Sequence, residues 1–186
     1  AALVSTLNWL TIFLSPIALF LAAVYPFCKR WIQIPQAVLG IAFGWGTIMA
    51  WAASRGTIAS SAWWLFTATA CWAVAYDTIY ALQDREDDRR IGVKSSALFF
   101  GNAVPTAVGL FLLGMLICLT IVGWLSELGP EYYVAMVVLA GLFSWQVRRL
   151  RFPVTPSQAF TMFQEHVLAG VVILVTLWLS TWHESP

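Results

Sequence analysis

Apolar residues in this chain recur in runs close to 20 long, separated by short polar stretches. An α-helix of about 20 apolar residues crosses the roughly 30 Å hydrocarbon core of a bilayer. Six such segments are predicted, over residues 3–25, 35–53, 61–88, 103–125, 132–147 and 160–182. Pro26 is expected to end the first helix, and Pro35 suits the first turn of the second. The fifth segment is short for a span, and Arg148 and Arg149 can lengthen it by snorkelling. Tryptophans fall near predicted ends, among them Trp9, Trp31, Trp51, Trp124 and Trp145, as in interfacial belts.

Composition agrees. The chain is 60% hydrophobic and 10% charged, against about 25% charged in soluble domains. The expected fold is all-α: a polytopic transmembrane helix bundle, with residues 1–186 forming one domain. The three cysteines, Cys28, Cys71 and Cys118, make no CxxC pattern and are expected to be reduced packing residues.

Charge orients the bundle. Lys29 and Arg30 follow the first predicted helix. Arg85, Arg89, Arg90 and Lys94 follow the third, and Arg148, Arg149 and Arg151 follow the fifth. The alternate loops hold only Arg55, so nine of ten basic residues lie on one side. By the positive-inside rule that side is cytoplasmic.

The acidic residues are concentrated too. Five of nine lie between Asp77 and Asp88. On a continuous helix, Asp77, Asp84 and Asp88 fall within about 20° of one line and span roughly 16 Å. Aligned carboxylates repel one another, and at a helix C-terminus they oppose the macrodipole. Asp77 lies at or near membrane depth, where an ionisable group points to function. A hard divalent cation held by carboxylate oxygens would offset the cost. Salt bridges to Arg85, Arg89, Arg90 and Lys94 are the other reading, and they suit Glu86 and Asp87 as solvated charges.

The segment from Tyr76 to Asp88 resembles the second aspartate-rich motif of the UbiA superfamily, DxxYAxxDxxxD, at Asp77, Tyr80, Ala81, Asp84 and Asp88. The stretch Arg90-Ile91-Gly92-Val93-Lys94-Ser95 is similar to that family's KIGIKS. Residues 25–30 and 39–45 look like its YPxxKR and LGxxFxW segments. The resemblance is strongest to the 4-hydroxybenzoate branch. It implies a nine-helix fold and a Mg2+-dependent transferase joining a polyprenyl diphosphate to 4-hydroxybenzoate in ubiquinone biosynthesis. The resemblance would make Asp77, Asp84 and Asp88 metal ligands and place Tyr80 in the catalytic cavity. It would also set Lys29, Arg30, Lys94 and Tyr25 around the substrates. The implied setting is a bacterial inner membrane, with the active site facing the cytoplasm.

The family's other aspartate motif, NDxxDxxxD, is not in this sequence, and the chain opens at Ala1-Ala2 without a charged n-region. It is therefore expected to be an N-terminally truncated part of the fold, inactive alone. His166 is expected to be a local polar substitution rather than a substrate contact, and His183 to be incidental. A prenyltransferase for another aromatic acceptor, a non-catalytic membrane protein binding Mg2+ or prenyl diphosphate, and an ion transporter are the alternative readings. Without a Walker, Rossmann or HExxH pattern, nucleotide or zinc chemistry is not expected, nor is a nucleic-acid partner.

Overall fold

The computed structural model describes residues 4–182, which are helical with no strand among them. Six long helices form: α1 (Trp9–Trp31), α2 (Pro35–Arg55), α3 (Ser60–Tyr80), α6 (Val104–Leu125), α7 (Pro130–Arg149) and α8 (Pro156–Trp182). Two short ones, α4 (Arg85–Ile91) and α5 (Ser96–Phe100), lie between α3 and α6. The predicted start at Leu3 and the tail residue His183 lie outside the described residues.

All six predicted segments are helices, but two boundaries differ in ways that matter. Helix α1 does not stop at Pro26. It contains both Pro16 and Pro26 and runs to Trp31. An interior proline removes one backbone bond, and the turns on either side carry the helix through. The last turn closes with the Ile32 amide on the Cys28 carbonyl at 2.8 Å. Lys29 and Arg30 therefore sit in the last helical turn, where the macrodipole favours cations.

The second difference is a break in the predicted helix 61–88. Helix α3 ends at Tyr80. Leu82 and Gln83 donate to the carbonyls of Ile79 and Tyr80, three residues back, at 3.1 and 3.0 Å. This tightening ends the α-helical ladder. Asp84, with φ −96° and ψ 2°, then starts α4. Glu86, Asp87 and Asp88 thus lie in the first turn of a new helix and Arg89 and Arg90 in its last, each at the favoured pole.

Helix α3 is the centre of the bundle. It packs against α2, α6 and α8, while α7 joins α6 to α8. Four long apolar segments are suited by length and composition to cross a membrane: α1, α2, α5 to α6, and α8. Helices α3 and α7 are not among these four. Outward-facing side chains of the apolar helices are large and greasy, such as Phe13 at 77% and Leu174 at 68% exposure. A soluble surface would not carry such faces, and the protein is an integral membrane protein.

Glycine sets the α2–α3 distance. A Cβ on Gly40 would lie 2.7 Å from the Ala70 carbonyl oxygen, and one on Gly44 would lie 2.8 Å from that of Phe66. These two glycines, four residues apart, let the backbones approach as small residues do in membrane helix pairs. Gly44→Ala is expected to destabilise the protein by about 1–3 kcal/mol, the usual range for overpacking. Thermal unfolding in detergent checks this. Gly46→Ala, which would meet nothing within 4 Å, should unfold like wild type.

Candidate active site

Four elements meet at the basic end of the bundle. The C-terminus of α1, the N-terminus of α2, the C-terminal half of α3 and the start of α5 are tied by polar contacts. The Lys94 amide donates to the Lys29 carbonyl at 3.1 Å, and the Lys94 ammonium donates to the Trp31 carbonyl at 2.9 Å. The loop before α5 is thereby fastened to the end of α1. Arg85 and Arg151 face one cavity at this same end. The loops carrying nine of the ten basic residues are thus gathered at one pole.

Asp77 is the acidic residue at the centre of this junction. It is partly buried on α3. The Lys29 charge and the Gln36 side chain both lie within electrostatic reach of its carboxylate. Gln36 is 2% exposed, and its Oε1 accepts from the Ser96 amide at 2.9 Å. A carboxylate only accepts, so the Gln36 amide nitrogen is the end suited to Asp77. Beside it, the Thr78 hydroxyl donates to the Val74 carbonyl at 2.6 Å. That commits the Thr78 proton, so the Ser96 hydroxyl is the donor in the 2.7 Å Thr78–Ser96 contact. Tyr25 and Tyr76 both lie within electrostatic reach of Asp77.

The other predicted site residues are arranged differently. The break at residues 81–84 removes the single-helix stripe: Asp77, Asp84 and Asp88 belong to α3, a turn and α4. Asp84 occupies the N-cap position of α4 without a capping side-chain bond, which leaves its carboxylate exposed. Among the described residues, no group of three or more His, Cys, Asp or Glu converges as a metal cage. Glu86 and Asp87 pair with Arg89 and Arg90 at 3.0 and 3.9 Å. Among the described residues no salt bridge joins Asp84 or Asp88 to a basic group. Tyr80 packs on Phe160 and Phe163, with centroids 6.5 and 5.0 Å away. Arg30 and Lys29 are exposed. Lys94 is engaged at the end of α1.

Mg2+ commonly binds through one or two carboxylates, with water and substrate phosphates completing its octahedron. Asp77, Asp84 and Asp88 are spread over α3, a turn and α4. They do not fit an all-protein cage.

Gln36 was not read from the sequence as part of the site. Its signal was a polar residue just inside a proline-started apolar helix. A second feature is aromatic. Tyr76, next to Asp77, contacts Phe43, Trp72, Phe163 and His166. His166 is 5% exposed and its Nδ1 accepts from the Trp72 indole at 2.8 Å. The ring proton therefore sits on Nε2. Its ring stacks on Phe143 at 5.6 Å. Next to it, Glu165 pairs with Arg149 and takes a bond from Gln146.

Residues 1–169 match the UbiA prenyltransferase family. The chain belongs to that family. The UbiA-family chain is 46% identical over 178 residues to a 4-hydroxybenzoate octaprenyltransferase of Klebsiella pneumoniae subsp. pneumoniae, covering 96% of this chain and 62% of the relative. A 4-hydroxybenzoate octaprenyltransferase of Salmonella paratyphi C is 44% identical over 181 residues, covering 97% and 62%. The chain therefore spans about three fifths of the length of these relatives. Among solved structures, the apo form of a UbiA homolog from Aeropyrum pernix K1 superimposes with a TM-score of 0.79 at 20% identity. That match covers 97% of this chain and 67% of the homolog, and it is a likeness of fold.

Proposed function

We propose that this UbiA-family chain serves the Mg2+-dependent transfer of a polyprenyl group from its diphosphate to the ring of 4-hydroxybenzoate, in ubiquinone biosynthesis. The observation that carries this reading is the Asp77 junction. There the partly buried Asp77 carboxylate lies within electrostatic reach of Lys29 and Gln36, at the basic pole of a membrane bundle from a prenyltransferase family.

In this reaction the C–O bond between prenyl C1 and the diphosphate breaks, and the electron pair leaves with the diphosphate. A ring carbon beside the phenolic hydroxyl then bonds C1, and loss of the ring proton restores aromaticity. Asp77, Asp84 and Asp88 would hold Mg2+, which when bound supplies Lewis-acid neutralisation of the leaving group. Lys29 and Arg30, on the last turn of α1, are placed to attract the diphosphate or the acceptor's carboxylate. Lys94 would join them by releasing the Trp31 carbonyl, and Tyr25 would line the same junction. The π faces of Tyr76 and Tyr80 suit an allylic cation, which aromatic rings attract electrostatically. The exposed apolar faces of the bundle leave the prenyl tail in lipid.

A chimera in which these 186 residues replace the matching segment of the Klebsiella pneumoniae relative tests the reading. In proteoliposomes it should prenylate 4-hydroxybenzoate, lose activity in EDTA and regain it with Mg2+. Turnover that persists in EDTA, or no product at any Mg2+ concentration, would sink the proposal.

The site would face the cytoplasm of a bacterial inner membrane, as the basic pole directs. In a cysteine-free background, Ser126→Cys at the opposite pole is expected to react with an impermeant maleimide added outside cells. Ser157→Cys, at the basic pole, should react only after permeabilisation. The reverse pattern would invert the orientation.

A further inference from the structure

The cavity faced by Arg85 and Arg151 is polar and built from elements other than those around Asp77. It has a volume of about 360 Å³ and lies between the α3–α4 turn, the start of α6 and the α7–α8 loop. No residue of α1 or α2 lines it, and neither does any of the three aspartates. Its wall contains two arginines, Arg85 and Arg151, together with Asn102, and no carboxylate.

The charge in this cavity is uncompensated. Arg89, Arg90 and Arg149 each have an acidic partner. Among the described residues, no salt bridge reaches Arg85 or Arg151. The Arg85 Nε is buried without a hydrogen-bond partner, and an unsatisfied donor on a charged group is costly. Val104, the first residue of α6, also lines the cavity. The 22-residue α6 starts at this wall, running on from the 3-10 turn Gly101–Ala103, and Pro105 in its first turn carries no amide proton. Two guanidinium groups and an amide side chain are donors that a phosphate accepts from.

The surroundings favour a lipid as the source of that phosphate. The cavity sits at the end of the membrane helices, and Leu82, Leu150 and Phe152 are also part of its wall. Phe152 is 72% exposed and offers an apolar rim to glycerol and acyl chains. Basic pockets between transmembrane helices on the cytoplasmic side suit anionic head groups. With no carboxylate in the wall, nothing there would compensate the choline of a zwitterionic lipid. We propose that Arg85, Arg151 and Asn102 bind the phosphate of an anionic phospholipid. Arg85 directly follows Asp84, so an occupied pocket would hold the 81–84 turn in place. The proposal does not depend on the prenyl-transfer reading.

The test uses the chain in phosphatidylcholine nanodiscs doped with phosphatidylglycerol, with retained lipid counted by native mass spectrometry. Phosphatidylglycerol should be retained in preference to phosphatidylcholine. Retention should weaken about tenfold in Arg85→Gln/Arg151→Gln, the scale of losing a charge-assisted hydrogen bond. Arg148→Gln removes a charge at the same pole outside the cavity and should leave retention unchanged. Should the double variant misfold, Arg151→Gln alone carries the test, because Arg151 is an exposed loop residue. Equal retention of both lipids, or retention indifferent to Arg151, would overturn the proposal. Inorganic phosphate is the second probe. If it binds with Arg151 dependence while phosphatidylglycerol does not, the phosphate pocket stands and the lipid source falls.

Discussion

Asp84→Asn is expected to reduce prenyl transfer by about a hundredfold or more, the scale of losing a charge that positions a Lewis-acid metal. The side chain keeps its shape and loses only its charge. It is exposed and makes no capping bond, so helix α4 should survive. Asp87→Asn is the internal comparison. Asp87 meets Arg90 at 3.9 Å, with side chains 80% and 79% exposed. Such surface pairs are worth little, so activity should stay within about twofold. Both variants belong in the chimera, with circular dichroism to establish that helix content is unchanged. Turnover of Asp84→Asn near the wild-type rate would remove the residue from the metal site.

The second large effect is expected at Gln36, which touches no substrate in the proposed reaction. Gln36→Leu removes the polar group within reach of Asp77 and leaves the Ser96 amide without its acceptor. The lost bond to a buried amide should cost about 1–3 kcal/mol of stability. Groups that orient metal-ligating residues typically matter by about 10–100-fold in metal affinity or activity. The decisive readout is the Mg2+ concentration for half-maximal turnover. A positioning role predicts that it rises by about tenfold or more. A purely structural role predicts a lower melting temperature with that midpoint unmoved.

The placement of Gln36 near Asp77 shows where the sequence stopped being informative. The motif around Asp77, Tyr80, Ala81, Asp84 and Asp88 was visible in the sequence as a family resemblance. It was read on one continuous helix because helical periodicity is local and carries straight through Leu82 and Gln83. Helix α3 instead stops at Tyr80, and the chain beyond it is docked elsewhere. Lys94 grips the end of α1, and Ser96 bonds to Gln36 sixty positions earlier. No property of residues 81–84 alone announces those contacts. The cost first assigned to acidic residues at a helix C-terminus holds for Asp77, in the last turn of α3, and not for Asp84 and Asp88. In the folded chain Glu86, Asp87 and Asp88 occupy a helix N-terminus, where their charge is favoured.

Other features divide along the same line. The apolar runs located the six long helices by themselves, because a segment in hydrocarbon must satisfy its own backbone hydrogen bonds. Among the described residues, only four of these helices are long and apolar enough to cross a membrane. The loop charges determined which ends of those helices belong together, since alternation along the chain is enough. The tertiary structure alone decided how side chains far apart in sequence meet. Trp72 finds His166 ninety-four positions away, Gly40 and Gly44 admit the backbone of α3, and Arg85 shares an unneutralised cavity with Arg151. These pairings depend on the rotation and spacing of packed helices, which hydrophobic periodicity leaves free. A uniformly apolar helix can turn any face toward its neighbour, and it is close packing around α3 that selects one.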